Sequence, residues 1–168
     1  MVMAATDRLI EEAAIRLGEL AVQKGMMVAT AESCTAGGIS YAITEVAGSS
    51  AWFDRGFVTY TNESKQALLG VNETTLKAHG AVSLEVVAEM TAGALNRSDA
   101  TISVAVSGIA GPGGAVVGKP VGTVCFSWQV RGAQPEVSLQ HFSGDRHAVR
   151  QQTILFALNG LLERLQKR

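Results

Sequence analysis

The sequence is poor in several features that mark whole classes of protein. It has two cysteines, Cys34 and Cys125, in 168 residues. That is too few for a disulfide framework, and neither has a second cysteine at metal-ligand spacing, so reduced thiols are the expected state. Three prolines exclude a collagen-like or proline-rich disordered chain. Neither sign of charge dominates: 14 Lys and Arg stand against 15 Asp and Glu, a formal net charge of −1. A protein whose main task is gripping a nucleic-acid backbone carries a basic excess or a Lys/Arg cluster, and this one has neither. No run of about 18 apolar residues offers a membrane span, and Met1 to Thr6 lack the basic start of a signal peptide. The expectation is a soluble cytoplasmic protein without nucleic-acid or membrane partners. The three histidines, His79, His141 and His147, fall in different segments and form no metal pair or readable Ser-His-Asp order, so no metal and no cofactor are expected.

Glycine is abundant instead, with 18 residues against an average usage of roughly 7%. Gly108, Gly111, Gly113, Gly114, Gly118 and Gly122 crowd one short window. Around it, hydrophobic spacing alternates between two periods. Helical spacing covers Leu9 to Ala21, with Asp7 as a cap and Gly25 beyond the end, and again Ile154 to Leu165. Strand-like runs are Met26 to Ala31, Phe53 to Thr61, Thr101 to Val106, Thr123 to Val130 and Glu136 to Phe142, the last two joined as a hairpin. Shorter helices are expected near Glu63 to Leu69 and Glu73 to His79, and Ser83 caps a longer one. This order predicts an α/β fold, a three-layer α/β/α sandwich with a mixed, mostly parallel sheet, in a single domain over 1–168.

Four segments could carry chemistry. Ala31-Glu32-Ser33-Cys34-Thr35 followed by Ala36-Gly37-Gly38 sits at a strand-to-helix junction, where open sheets bind ligands and helix N–H groups are unpaired. Ser33 could present a nucleophilic hydroxyl, although Ser33 and Thr35 are also good helix caps, and residue type alone favours capping. Cys34 reads as a small buried thiol rather than a competing nucleophile. Tyr60 to Lys65 follows the next strand. Lys65 becomes a base only if burial or a neighbouring cation lowers its pKa, and residue type alone favours a solvated lysine. Ser107 to Gly114 follows the most apolar strand, with glycines that let backbone N–H groups approach an anion, but it is not a Walker A loop. Ser143-Gly144-Asp145-Arg146 opens the last helix, where either a phosphate clamp or a simple Asp145 cap with a solvated Arg146 fits.

Taken together, these segments, with Gly48-Ser49-Ser50, Phe57 to Tyr60 and Lys119 to Thr123, resemble the CinA C-terminal domain family in order and spacing from about residue 8 to the end. The resemblance implies a stand-alone member whose substrate is a small nucleotide, in a family that includes nicotinamide mononucleotide deamidases. It implies metal-independent Ser/Lys hydrolysis with Ser33 as nucleophile, the nearby helix N-terminus serving the oxyanion, neutral Lys65 as base and Tyr60 orienting or relaying the proton. Thr35, Gly37, Gly38 and Ser50 are expected on the substrate, as are Ser107, Gly108, Gly111 and Arg146, the last on the phosphate. A homodimer is the family expectation. The rival readings are a non-catalytic nucleotide-binding module and an amidase for another small amide. The family usually has glycine directly after the Ala-Glu-Ser-Cys-Thr run, where this sequence has Ala36. If that position needs φ > 0 or a very close ligand approach, alanine costs energy and the loop differs; the favoured expectation is an ordinary first helical turn, in which alanine is harmless.

Overall fold

In the computed structural model, which describes residues 2–168 and side chains from residue 5 onward, the two hydrophobic periods resolve into strands and helices. The helix α1 spans Val2–Lys24, β1 Val28–Glu32, α2 Gly38–Thr44, a 3₁₀ turn Ser49–Ala51, and β2 Phe53–Val58. The chain continues with α3 (Asn62–Leu69), α4 (Glu73–His79), α5 (Leu84–Asn96), β3 (Ile102–Gly108), β4 (Thr123–Val130), β5 (Glu136–His141) and α6 (Arg146–Gln166). All five strands join one sheet in the order β2-β1-β3-β4-β5. Strand β1 runs parallel to both β2 and β3, while β4 is antiparallel to β3 and β5, so four strands share one direction. The predicted three-layer α/β/α sandwich is the observed one.

Burial explains the layering. Strands β1 and most of β3 are covered on both faces, as expected for runs that are apolar or β-branched save for Glu32 at the end of β1. On one face α1, α2 and α6 close over Leu17, Ile39, Ile43, Phe126, Leu158 and Leu161. On the other, α3 to α5 close over Leu69, Leu76, Val87 and Met90. Each such side chain contributes roughly 1.5–3 kcal/mol by leaving water. These two cores fix the strand ends as a rigid platform.

The helix starts are chemically marked. Ser83 Oγ accepts from the Val86 N–H at 3.3 Å and Asp145 Oδ1 from the Ala148 N–H at 2.9 Å, both acting as the predicted caps. Asp7 is not a cap: α1 already runs from Val2, and the Asp7 carboxylate instead accepts from Gln151 Nε2 at 3.1 Å. The apolar spacing located the helix, but its backbone begins five residues earlier, at Val2.

The topology selects one place for a ligand. From β1 the chain passes through α2 to β2 on one side, then through α3 to α5 to β3 on the other. The connections therefore diverge between β1 and β3, and the crevice beyond the carboxyl ends of these strands is the topological switch point.

Candidate active site

Strand alternation places the first two functional side chains on opposite faces. Successive residues at the end of β1 point to opposite sides of the sheet. Ala31 belongs to the core under α5, so Ser33 shares that side, whereas Glu32 turns toward α2. The Ser33 N–H donates to the Val106 carbonyl at 3.2 Å, which extends the β1–β3 ladder by one step and puts Ser33 beside Ser107.

Lys65 comes to Ser33 from α3. Thr61 caps that helix by accepting from the Ser64 N–H at 3.1 Å, and its buried face carries Lys65 and Leu69, four residues apart. Lys65 is fully buried. Its Nζ lies 3.0 Å from Ser33 Oγ and 3.3 Å from the Tyr60 carbonyl oxygen. No carboxylate pairs with it among the described residues, and burial lowers its pKa from the ordinary 10.5, with a smaller opposing influence from Cys34. The solvated lysine favoured by residue type is thus overturned. Helical spacing against Leu69 was the signal that this lysine faces inward. Cys34 is buried, and burial pushes its thiol up to about 12, so it is no nucleophile near neutral pH.

The turn from Ser33 to Gly37 is held from two sides by residues to which sequence reasoning assigned no role. Glu32 is fully buried and its carboxylate accepts from Thr35 Oγ1 at 2.6 Å, Ser40 Oγ at 2.7 Å, the Ile39 N–H at 2.8 Å and the Ser40 N–H at 2.9 Å. From α6, Arg150 Nε donates to the Cys34 carbonyl at 3.0 Å and its terminal nitrogen to the Thr35 carbonyl at 3.1 Å. The available signals were an acid closing an otherwise apolar strand and an arginine one turn beyond Arg146. A buried charge has to be paired.

This arrangement corrects the expected oxyanion donor. In the first turn of α2 the Gly38 N–H goes to the Thr35 carbonyl, those of Ile39 and Ser40 go to Glu32, and that of Tyr41 goes to the Gly37 carbonyl. The helix terminus is already occupied. By contrast, the N–H groups of Thr35 and Gly37, within the turn, donate to no protein acceptor among the described residues.

Ala36 differs from expectation as well. It has φ 49°, the left-handed region, and Gly37 follows at φ 96°, so the nucleophile turn lies outside the helix. A non-glycine residue there costs roughly 1–2 kcal/mol, which the Glu32 and Arg150 contacts offset.

Arg146 reaches across the crevice mouth. One terminal nitrogen donates to the Gly111 carbonyl at 2.9 Å and the other to the Tyr60 hydroxyl at 3.0 Å. It is neither solvated without partners nor part of the cap, which Asp145 supplies. The N–H groups of Arg146 and His147 donate to no protein acceptor among the described residues. Tyr60 thus meets Lys65 through its carbonyl and Arg146 through its phenol. Ser107 is buried, with Oγ donating to the Ala81 carbonyl at 2.7 Å.

Other expected contacts lie elsewhere. Ser50 precedes β2, whose first residue pairs with Val28, so it sits at the amino-terminal edge of the sheet, opposite Ser33. The Thr35 hydroxyl is committed to Glu32. At Gly38 a Cβ would come within 2.6 Å of Ile154, and at Gly108 within 2.7 Å of Val124, so both are small for packing. A hollow of about 610 Å³ lies between α1, α2 and α6, with Arg150 on its wall, but neither Ser33 nor Lys65 lines it.

With Ser33, Lys65 and Arg146 at one crevice, comparison with known proteins decides the family: residues 10–165 match the CinA C-terminal domain. The chain belongs to the CinA C-terminal domain family. It is 49% identical over 162 residues to a protein of Enterobacter agglomerans named nicotinamide-nucleotide amidohydrolase PncC, covering 96% of this chain and 99% of that one. A Pseudomonas putida protein of the same name is 52% identical over 150 residues, covering 89% and 93%. The crystal structure of the competence/damage inducible protein CihA from Agrobacterium tumefaciens superposes with a TM-score of 0.89 at 46% identity, covering 92% of this chain and 94% of that one. In this CinA domain no described helix is long and apolar enough to cross a membrane.

Proposed function

We propose that this chain hydrolyses the carboxamide of nicotinamide mononucleotide, yielding nicotinate mononucleotide and ammonia for NAD recycling. One observation carries the chemistry: a fully buried lysine amine, without a carboxylate partner among the described residues, lies 3.0 Å from a serine hydroxyl at the switch point. Burial favours the neutral amine, the form that can take a proton.

Ser33 Oγ attacks the amide carbon as its proton passes to Lys65 Nζ. The oxygen of the tetrahedral intermediate receives the N–H groups of Thr35 and Gly37. The C–N bond then breaks, and the leaving nitrogen takes the proton back from Lys65 and departs as ammonia. A water molecule, deprotonated by Lys65, attacks the Ser33 ester; the bond from carbon to Ser33 Oγ breaks, Lys65 returns the proton to Oγ, and the acid leaves. Tyr60 positions Lys65 through its carbonyl. Arg146 and the open N–H groups at the start of α6 hold the 5′-phosphate, while Ser107 and the loop to Gly111 shape the substrate wall. The reaction as drawn needs no metal or cofactor. The reading places it in the cytoplasm, involves no nucleic acid, and takes a homodimer as the assembly, which light scattering measures.

The test is ammonia release from nicotinamide mononucleotide with a metal chelator present, beside the phosphate-free nicotinamide riboside. Chelator-resistant turnover that prefers the phosphate is the expected result. Absence of ammonia overturns the reading in favour of a nucleotide-binding module, and equal turnover of both amides makes the chain an amidase of another substrate.

A further inference from the structure

We propose that Glu32 is a positioning residue of the reaction, one that sets Ser33 for attack by occupying the start of α2. The proposal rests on the reading of Ser33 as nucleophile. The first N–H groups of a helix have no intrahelical acceptor and need one from outside it. Here the protein supplies its own. Glu32 takes the Ile39 and Ser40 N–H groups and the Thr35 and Ser40 hydroxyls, four donors within 2.9 Å of a side chain without solvent exposure. It stands one residue before Ser33 on a strand buried on both faces, so its own position is rigid.

Two consequences follow for chemistry. First, the turn is tied at both ends: the Thr35 side chain and the first turn of α2 are anchored to the residue that precedes the nucleophile, across the left-handed pair Ala36 and Gly37. Shifting the Ser33 backbone relative to Lys65 strains this set. Secondly, the Ile39 and Ser40 N–H groups of α2 are taken by Glu32, whereas α6 keeps N–H groups of Arg146 and His147 without protein acceptors among the described residues.

Ammonia release by Ser33→Ala, Glu32→Gln and Ser40→Ala tests this, with folded protein quantified by circular dichroism. Glu32→Gln keeps the shape but replaces one acceptor oxygen by a donor facing N–H groups. In it kcat per folded molecule falls by about 10- to 100-fold while KM stays within about twofold, the sensitivity expected of a misplaced nucleophile. Ser40→Ala keeps the carboxylate and removes one donor, with a smaller loss of about 3- to 10-fold. Should Glu32→Gln fail to fold, Ser40→Ala decides by the same readout. A purely structural role lowers the melting temperature and leaves kcat per folded molecule unchanged. That result in the folded variants, with Ser33→Ala inactive, overturns the role of Glu32 alone; an active Ser33→Ala overturns the nucleophile reading and this proposal with it.

Discussion

Two helices begin at the mouth of the same crevice, and their first turns are used in opposite ways. At α2 an internal carboxylate, Glu32, consumes the N–H groups of Ile39 and Ser40, and the preceding turn is pinned to α6 through Arg150. At α6 the Asp145 carboxylate caps the Ala148 N–H, and the guanidinium of Arg146 spans the crevice. The first helix start is closed on itself and organises a nucleophile. The second is open and cationic, suited to an anion. Helix N-termini are interchangeable as dipoles, so their division of labour comes from the side chains at them: Glu32, folded back onto α2 from the end of β1, and Asp145 with Arg146 at the start of α6.

The largest effect belongs to the closed end. Lys65→Met removes the base, and kcat/KM for ammonia release falls by about 10²- to 10⁴-fold. The same change deletes a buried amine and raises unfolding stability by about 0.5–2 kcal/mol, read by denaturant titration. In the wild type, kcat/KM rises with pH as Lys65 loses its proton, with an inflection below 10.5 because burial lowers its pKa. Stability follows the same sign. Below the lowered pKa the amine is charged in both folded and unfolded chains and the full burial penalty applies; as pH rises from there toward 10.5 the penalty is relieved and stability increases. A flat pH profile removes Lys65 from the mechanism.

The open end responds in binding. Arg146→Ala loses hydrogen bonds to a charged group worth about 1.5–3 kcal/mol, so KM rises by about 10- to 150-fold with kcat little changed. An unchanged KM reassigns the phosphate site. Asp145→Ala removes the α6 cap and costs about 1 kcal/mol in stability, measured by thermal unfolding. The smallest effect sharpens the contrast at the turn itself: Ala36→Gly relieves the left-handed strain and stabilises the protein by up to about 1 kcal/mol, with kcat within about twofold of wild type.

Much of this was legible in the sequence because it rests on local periodicity. The uncharged run before Ser107 marks a strand covered on both faces, and Ser83 and Asp145 mark helix starts by capping chemistry. Ser33, Lys65 and Arg146 stood out because each follows a strand-like segment. What was not legible depends on facing across the fold. Whether Lys65 is solvated or buried turns on which stripe of α3 meets the sheet. Glu32 and Ser33 are neighbours in sequence, yet alternation sends one to α2 and the other to α3. Ser50 belongs to a recognisable family segment, but the parallel pairing of β2 with β1 carries it to the far edge of the sheet. Ala36 was expected to be helical because a helix follows closely; the left-handed turn is imposed by Glu32 and Arg150, contacts made across the turn and from α6.

The central claim is that the closed end of α2 presents Ser33 as the nucleophile, and ammonia release from nicotinamide mononucleotide by folded Ser33→Ala tests it most directly. The account predicts a loss of about 10³-fold or more against wild type, leaving the rate that binding and the oxyanion donors alone sustain. Turnover within about tenfold of wild type would contradict it.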